Sequence, residues 1–308
     1  MTEFLQYPGY RCRAAGFGAL YTVRLGTWNP APEAGQAEGR GVQSIRVLKN
    51  RVRGSIKNRL KRAVDAMGYE IGKRAEKTEA REFQADFTPE HIAIVKAVQP
   101  YTLTSPERIF ALIESVRYVQ RRGIPGSIVE CGVWKGGSMM AAALTLLAQN
   151  RADRELYLFD TYEGMTKPTE LDIHFTGAAA MDSFTKFQTG EDSSDECAAG
   201  LGDVRRAMES TGYDERLIHY VKGKVETTIP GRAPETIAVL RLDTDWYEST
   251  RHELAHLFPR LATGGVLIID DYGDWQGARK AVDEYIEQTA PTLFLSRIDC
   301  TGRLAIKH

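Results

Sequence analysis

The pattern of apolar and polar positions alternates repeatedly between two types after residue 126. Short β-rich runs are followed by stretches in which apolar residues recur every three or four positions, as on one face of a helix. The predicted strands are Ser127–Cys131, Glu155–Asp160, Leu217–Val221, Ile237–Asp243, Gly265–Asp270, Thr292–Arg297 and Arg303–Lys307. Strands that alternate with helices predict an α/β fold, in which a mostly parallel seven-stranded sheet carries helices on both faces.

The N-terminal hundred residues have a different character. Residues 1–42 combine glycine, proline and scattered aromatics without a sustained period, which predicts a poorly ordered leader. Residues 43–100 are predicted to be a helical extension, because apolar residues recur at helical spacing over residues 43–75. The other face of that helix is basic, with eight Lys and Arg side chains between Arg46 and Arg62 and no acidic one.

Two interpretations of the basic helix remain open. It docks on the protein core or on a partner subunit, or it makes peripheral contact with an anionic membrane surface. Nucleic acid is not an expected partner, because nothing downstream supplies a base-reading module. A cytoplasmic location is expected, since no apolar run approaches the roughly 20 residues of a membrane span. Four widely spaced cysteines form no C-x-x-C pair and predict free thiols.

Residues 101–308 are predicted to form the main α/β domain, and one connection within it is unusually long. About 36 residues, from 165 to 200, separate the second predicted strand from the next good helical pattern. Long connections in compact domains are commonly lids or binding loops. We therefore expect this segment to cover a ligand site.

A glycine-rich turn follows the first strand, in the sequence from Glu130 to Ser138. Glycines there allow close backbone approach to a ligand, and the next helix presents free N–H groups. The spacing is not the G-x-G-x-x-G of dinucleotide sites. The carboxylate of Glu130 is placed to interact with a positively charged sulfonium cofactor or with the amino group of that cofactor. Asp160 ends the second strand, where an acid accepts hydrogen bonds from ribose hydroxyls in nucleotide-binding folds. The alternative is a tight strand–helix turn with no ligand.

Four aspartates follow the fourth and fifth predicted strands: Asp243, Asp245, Asp270 and Asp271. Adjacent central strands would bring these carboxylates to one edge of the sheet, where a bound cation or raised pKa values would be required. Oxygen ligands alone favour Mg²⁺, or Mn²⁺, over zinc. A carboxylate left over would serve as a general base. The alternative is that one or two of these acids cap the following helices.

These motifs together resemble the macrocin-O-methyltransferase family, enzymes that methylate sugars. The resemblance runs from about Tyr101 to the C-terminus and implies a Rossmann-like class I methyltransferase fold with S-adenosylmethionine as donor. The motifs are Tyr101–Ser105, Glu130–Ser138, Asp160–Gly164, Arg241–Ser249 and Gly264–Tyr272.

The resemblance also implies roles for individual residues. Asp243, Asp270 and Asp271 would hold Mg²⁺ or Mn²⁺, and Asp245 would be the catalytic base beside Asp243. The residues expected at the methyl donor are Thr104, Ser105, Glu130, Gly132, Gly136, Ser138, Asp160 and Gly164.

The implied function is metal-assisted methylation of a sugar hydroxyl in a glycosylated natural product, a polysaccharide or a glycolipid, by a homo-oligomer. Two other readings stay open. The first is a methyltransferase of catechols or other phenols, which shares the fold and the acidic edge. The second is a methyltransferase fold retained as a non-catalytic scaffold.

Overall fold

The computed structural model describes residues 83–289 and 292–308. The predicted leader and the basic helix over residues 43–75 lie outside this range. The compact unit spans Phe83–His308. Its first helix, α1 (Pro89–Val98), begins at a capping box in which Thr88 and His91 exchange side-chain and backbone hydrogen bonds. This helix buries Ile94 and Val98 in the core of the unit, although it lies within the predicted extension.

The sheet contains the predicted number of strands. In chain order they are β1 (Ser127–Cys131), β2 (Leu156–Asp160), β5 (Ile218–Lys222), β6 (Ile237–Leu242), β7 (Leu261–Ile269), β8 (Ser296–Arg297) and β9 (Arg303–Ile306). Their order in the sheet is β5-β2-β1-β6-β7-β9-β8. The first five strands in this order are parallel to one another, and β9 is antiparallel to β7. The fold prediction is therefore confirmed.

Helices cover both faces of the sheet. They are α2 (Pro106–Arg121), α3 (Gly137–Ala148), α5 (Leu201–Glu209), the short α6 (Val225–Thr228), α7 (Tyr247–Leu257) and α8 (Gln276–Thr289). One core cluster joins α1, α2, α3 and α5 to one face, and a second joins α7 and α8 to the other. Alternate residues of a strand point to opposite faces, and both faces of this sheet are covered by helices. The central strands are therefore buried along their whole length.

The predicted lid has secondary structure of its own. It contains α4 (Ala180–Phe187) and a small hairpin of β3 (Gln188–Gly190) and β4 (Ser193–Ser194). The buried side chain of Asp172 connects the lid to α7, because its Oδ1 accepts the backbone N–H of Tyr247, the first residue of that helix, at 2.7 Å. Asp172 thereby satisfies an otherwise free N–H group of that helix.

Two further expectations can be compared with the described residues. None of their helices is long and apolar enough to cross a membrane. Cys131 and Cys197 are free thiols, as predicted.

Candidate active site

The ends of the three central strands β1, β6 and β7 meet at one edge of the sheet. Gly132, which follows β1, has φ of +81° and passes directly against the backbone of Asp243, which follows β6. A Cβ atom at Gly132 would overlap the Asp243 carbonyl oxygen. Asp270 follows β7 and donates its backbone N–H to Leu242 at 2.9 Å. Parallel pairing thus brings the candidate residues of three strands together.

A buried ion pair lies just beneath this edge. Glu130 and Arg241 are register partners of the β1–β6 pairing, and Arg241 Nη1 donates to Glu130 Oε1 at 2.6 Å. Both side chains are almost fully buried. Burial raises the pKa of Glu130 to about 7, although Arg241 and the Ser138 hydroxyl act in the opposite direction. The second oxygen, Oε2, has no hydrogen-bond partner within the described part of the chain.

Arg241 also reaches the acidic cluster. Its Nη1 donates to Asp243 Oδ2 at 2.6 Å, and its Nη2 donates to Asp270 Oδ1. Arg108 of α2 forms a second ion pair with Asp270. Two arginines therefore compensate part of the negative charge that we expect at this edge.

Asp243, Asp270 and Asp271 each offer one carboxylate oxygen within 4.8 Å of the others. Burial raises the pKa values of Asp243 and Asp271 well above the usual range. Arg241 opposes this effect at Asp243, and the nearby carboxylates of Asp245 and Asp270 reinforce it at Asp271. Several carboxylates at this spacing repel one another when all are ionised, and a bound divalent cation would remove that repulsion. The potential ligands are all oxygen atoms, which fits Mg²⁺ or Mn²⁺.

Asp245 lies in the turn between β6 and α7, beside this cluster. It is a non-glycine residue with φ of +67°, and its backbone N–H donates to Asp271 Oδ2 at 3.1 Å. Burial and the neighbouring Asp243 raise the pKa of Asp245 to about 8. Left-handed backbone at a non-glycine residue costs on the order of 1 kcal/mol and persists only where surrounding contacts enforce it.

The segment before α2 lies between the glycine-rich turn and the acidic cluster. The Thr104 hydroxyl donates to Asp270 Oδ1 at 3.3 Å. Ser105 is the N-cap of α2 and accepts from the backbone N–H of Arg108, while its hydroxyl donates to Asp299 Oδ2 at 2.6 Å. Thr104 is thus next to the acidic cluster, whereas the Ser105 hydroxyl is engaged by its own helix and by Asp299.

Asp160 connects the ends of β1 and β2. Its Oδ2 accepts the backbone N–H groups of Val133 at 2.6 Å and Trp134 at 3.1 Å, and its Oδ1 accepts that of Tyr162 at 2.6 Å. Gly136 is the N-cap of α3 with φ of +90°, so this helix begins without a capping side chain. Asp160 therefore fixes the conformation of the glycine-rich turn.

An open cleft lies over these strand ends. Its lining includes Gly132, Asp160, Gly164, Lys224, Asp243 and Thr244. The lid closes one side of the cleft, because Gly164, with φ of +105°, packs so closely against the Ser194 backbone that a Cβ atom would overlap it. An ion pair between Lys224 and Asp192 joins the hairpin to the far wall.

Three charged residues of this site were not assigned a role from the sequence: Arg108, Arg241 and Asp299. The signal for Arg241 was available, because an arginine interrupts an otherwise apolar strand that is buried along its whole length. Asp299 reaches Ser105 across 194 residues of chain, a contact that no local pattern indicates.

We expect Gly132→Ala to destabilise the protein strongly, by several kcal/mol, because the new Cβ would force β1 and β6 apart at the site. Gly212→Ala is the matched control: Gly212 has φ of +75° but nothing within 4 Å of its Cβ position, so only the cost of left-handed backbone, about 1 kcal/mol, applies. Denaturant unfolding of both variants measures the difference. Equal losses would show that the close approach is not required.

Comparison with known proteins agrees with this geometry. The sequence profile of the family described as Macrocin-O-methyltransferase (TylF) matches residues 45–305. The chain belongs to the macrocin-O-methyltransferase family. It is accordingly an S-adenosylmethionine-dependent O-methyltransferase. The match begins at residue 45, so the likeness to the family extends further towards the N-terminus than the motifs from Tyr101 onward indicate.

Individual O-methyltransferases are similar to about two thirds of this chain. The 8-demethyl-8-(2,3-dimethoxy-alpha-L-rhamnosyl)-tetracenomycin-C 4'-O-methyltransferase of Streptomyces olivaceus is 34% identical over 66% of this chain and 74% of its own length. The mycinamicin III 3''-O-methyltransferase of Micromonospora griseorubida is 32% identical over 66% and 76%. The solved structure of the O-methyltransferase NovP is 27% identical, with a TM-score of 0.58 over 67% of this chain and 82% of NovP.

Proposed function

We propose that this protein transfers the methyl group of S-adenosylmethionine to a hydroxyl of a sugar, with a divalent cation at Asp243, Asp270 and Asp271 and with Asp245 as general base. One observation carries the proposal: a single cleft is bordered by Gly132 and Asp160 on one side and by Asp243, which follows β6, on the other. Donor and acceptor groups would therefore meet at the strand ends.

Glu130 and the glycine-rich turn fit the methyl donor. The Oε2 atom of Glu130 is buried and lacks a partner among the described residues, and an ammonium group of the donor would supply one. Arg241 on Oε1 and Ser138 near the same carboxyl would keep it oriented. Gly132 and Gly136 leave room for close approach of the donor to the backbone.

Asp160 and Gly164 would complete the donor site. Three backbone N–H groups already bind the Asp160 carboxylate, so it would offer its remaining lone pairs to the ribose hydroxyls. Gly164 would act by allowing the lid hairpin to close over the donor. Thr104 would contribute from the acidic side, where its hydroxyl meets Asp270. Ser105 would act indirectly, because as the N-cap of α2 it fixes the start of that helix next to the donor.

The acidic cluster would position the acceptor. Asp243, Asp270 and Asp271 would hold a divalent cation, which would supply Lewis-acid activation of the acceptor hydroxyl. Arg241 and Arg108 hold the carboxylates of Asp243 and Asp270 in place, which would preorganise the proposed ligand set. Asp245, beside the cluster, would accept the hydroxyl proton as the oxygen attacks the methyl carbon, while the bond from that carbon to the donor sulfur breaks and S-adenosylhomocysteine leaves.

Relatives of this chain support a sugar as the acceptor. The two enzymes named above methylate a rhamnosyl tetracenomycin and mycinamicin III, according to their names. A sugar hydroxyl is a weak acid, so both the cation and the base would matter for turnover. Homo-oligomerisation, a cytoplasmic location and the partner of the basic helix stay predictions.

A thermal-shift experiment tests the donor and cation sites together. We expect S-adenosylhomocysteine at about 100 times its Kd to raise the Tm of wild type and of Asp270→Ala alike, by roughly 5–10 °C. Mg²⁺ should add a further rise in wild type only, because Asp270→Ala lacks one ligand. Asp203→Ala, which removes an exposed carboxylate of α5, should respond like wild type.

The outcomes separate the two parts of the proposal. The absence of any shift with S-adenosylhomocysteine would contradict the donor site. A Mg²⁺-dependent rise that persists in Asp270→Ala would contradict the cation site and leave the donor site intact.

A further inference from the structure

The turn that carries Asp245 is held by contacts on both sides. The Trp246 N–H donates to the Thr244 carbonyl at 2.8 Å, and the Asp245 N–H donates to Asp271 Oδ2 at 3.1 Å. Neither of these bonds involves the hydroxyl group of Thr244. Its hydroxyl donates to Glu253 Oε1 at 2.9 Å.

Glu253 is an unusual residue for its position. It lies on the inner face of α7, between Thr250 and Leu257, and its exposed fraction is 0%. A carboxyl group in such a place costs several kcal/mol unless it is hydrogen-bonded. Oε1 receives the Thr244 hydroxyl, whereas Oε2 has no hydrogen-bond partner within the part of the chain that the structure describes.

Glu253 does not serve as a counter-ion. None of the described ion pairs includes it, and the charged groups that face it, Glu226 of α6 and Asp271 after β7, are both acidic. Burial first, and these two acids as well, raise the pKa of Glu253 well above its usual range, while the hydrogen bond with Thr244 acts in the opposite direction. The contact that the geometry shows for this side chain is its hydrogen bond with the Thr244 hydroxyl.

We propose that Glu253 is a positioning residue for methyl transfer, which holds Thr244 and thereby keeps Asp245 in its left-handed turn beside the acidic cluster. The role assigned to Asp245 under the proposed function is presupposed here. Without the Thr244–Glu253 bond, the turn loses its side-chain contact with the middle of α7 and keeps only the weaker bond from the Ser249 hydroxyl to the Thr244 carbonyl, at 3.4 Å. Asp245 then relaxes towards ordinary backbone angles, and its carboxylate moves away from the acceptor oxygen.

Steady-state kinetics of three full-length variants test this role. Glu253→Leu removes the acceptor for the Thr244 hydroxyl, and we expect kcat to fall on the order of 100-fold, the effect of a displacement of about 1 Å at a reacting group. The Kd for S-adenosylhomocysteine should change less than twofold. Glu253→Gln keeps a carbonyl oxygen of the same reach and should recover most of the loss. Glu248→Gln removes an exposed carboxylate of the same helix and should match wild type.

A double-mutant cycle tests whether Glu253 acts through Thr244. Thr244→Val should lower kcat as Glu253→Leu does, and the combined variant should be no slower than either single variant, because both remove the same hydrogen bond. Additive losses, or a Glu253→Leu enzyme with the wild-type kcat, would overturn the proposal. If the wild type itself does not methylate any sugar acceptor, the proposed function fails instead.

A crystal structure of Glu253→Leu gives a measurement that needs no acceptor. We expect φ of Asp245 to leave the left-handed region while the sheet and the melting temperature stay close to those of wild type. An unchanged turn in a well-folded variant would overturn the positioning role, whatever the outcome for the acceptor.

Discussion

Replacing Asp245 by asparagine is expected to lower kcat by about 10²- to 10⁴-fold, the usual contribution of a general base. Asparagine keeps the shape of the side chain and the backbone N–H that binds Asp271, so the turn should survive. It cannot take the acceptor proton. The Kd for S-adenosylhomocysteine should stay within about twofold, because Asp245 is not among the residues that line the cleft. Turnover and calorimetric binding measure the two effects separately.

The same variant discriminates between classes of acceptor. A phenol is already acidic, so an enzyme for catechols would tolerate the loss of a base far better than one for sugar hydroxyls. Asp195→Asn, which changes an exposed carboxylate of the lid, serves as the control and should turn over normally. A wild-type kcat in Asp245→Asn would mean that another group is the base.

Replacing Arg241 by methionine is expected to cost roughly 3–5 kcal/mol of folding free energy. The change leaves Glu130, Asp243 and Asp270 without the guanidinium that binds all three, and Glu130 and Asp270 are almost completely buried. Buried carboxylates without a partner are far less stable than paired ones. The Tm should fall by roughly 10 °C in the absence of divalent cations.

Arg251→Met is the matched control for this substitution. Arg251 pairs with Glu248 on the surface of α7, with both side chains more than half exposed, and such pairs contribute well under 1 kcal/mol. Its Tm should stay within a degree or two of wild type. A similarly small change in Arg241→Met would contradict the structural importance of the buried network.

The fold was predictable because its signals are local. The five parallel strands are short runs rich in apolar residues, whereas β8 is only the exposed pair Ser296–Arg297. The largest error in a central strand is at β7, which begins at Leu261 rather than Gly265 because the strand continues through a glycine pair. Helical periodicity indicates where a helix lies but not which unit it joins, and α1 therefore lies in the compact unit although it was placed in the extension.

The site was predictable only in part. Acidic residues directly after neighbouring strands must lie close together, and the structure brings Asp243, Asp270 and Asp271 within 4.8 Å of one another. The bonds that orient these acids are long-range contacts. Arg108 reaches Asp270 across 162 residues and Thr104 across 166, and only tertiary packing brings these elements together.

Compensation of the acidic edge is the main point that sequence reasoning missed. Four clustered carboxylates predicted either raised pKa values or a cation, whereas the protein also supplies two arginines.

Diffraction from crystals grown with S-adenosylhomocysteine and Mn²⁺ tests the central claim most directly, since manganese is located by its anomalous signal. We predict a manganese peak among the carboxylates of Asp243, Asp270 and Asp271, with the nucleoside lying over Gly132 and Asp160 and its sulfur facing the metal. A nucleoside bound elsewhere would contradict the proposal. So would the absence of a manganese peak in a cluster whose carboxylates remain paired with Arg241 and Arg108.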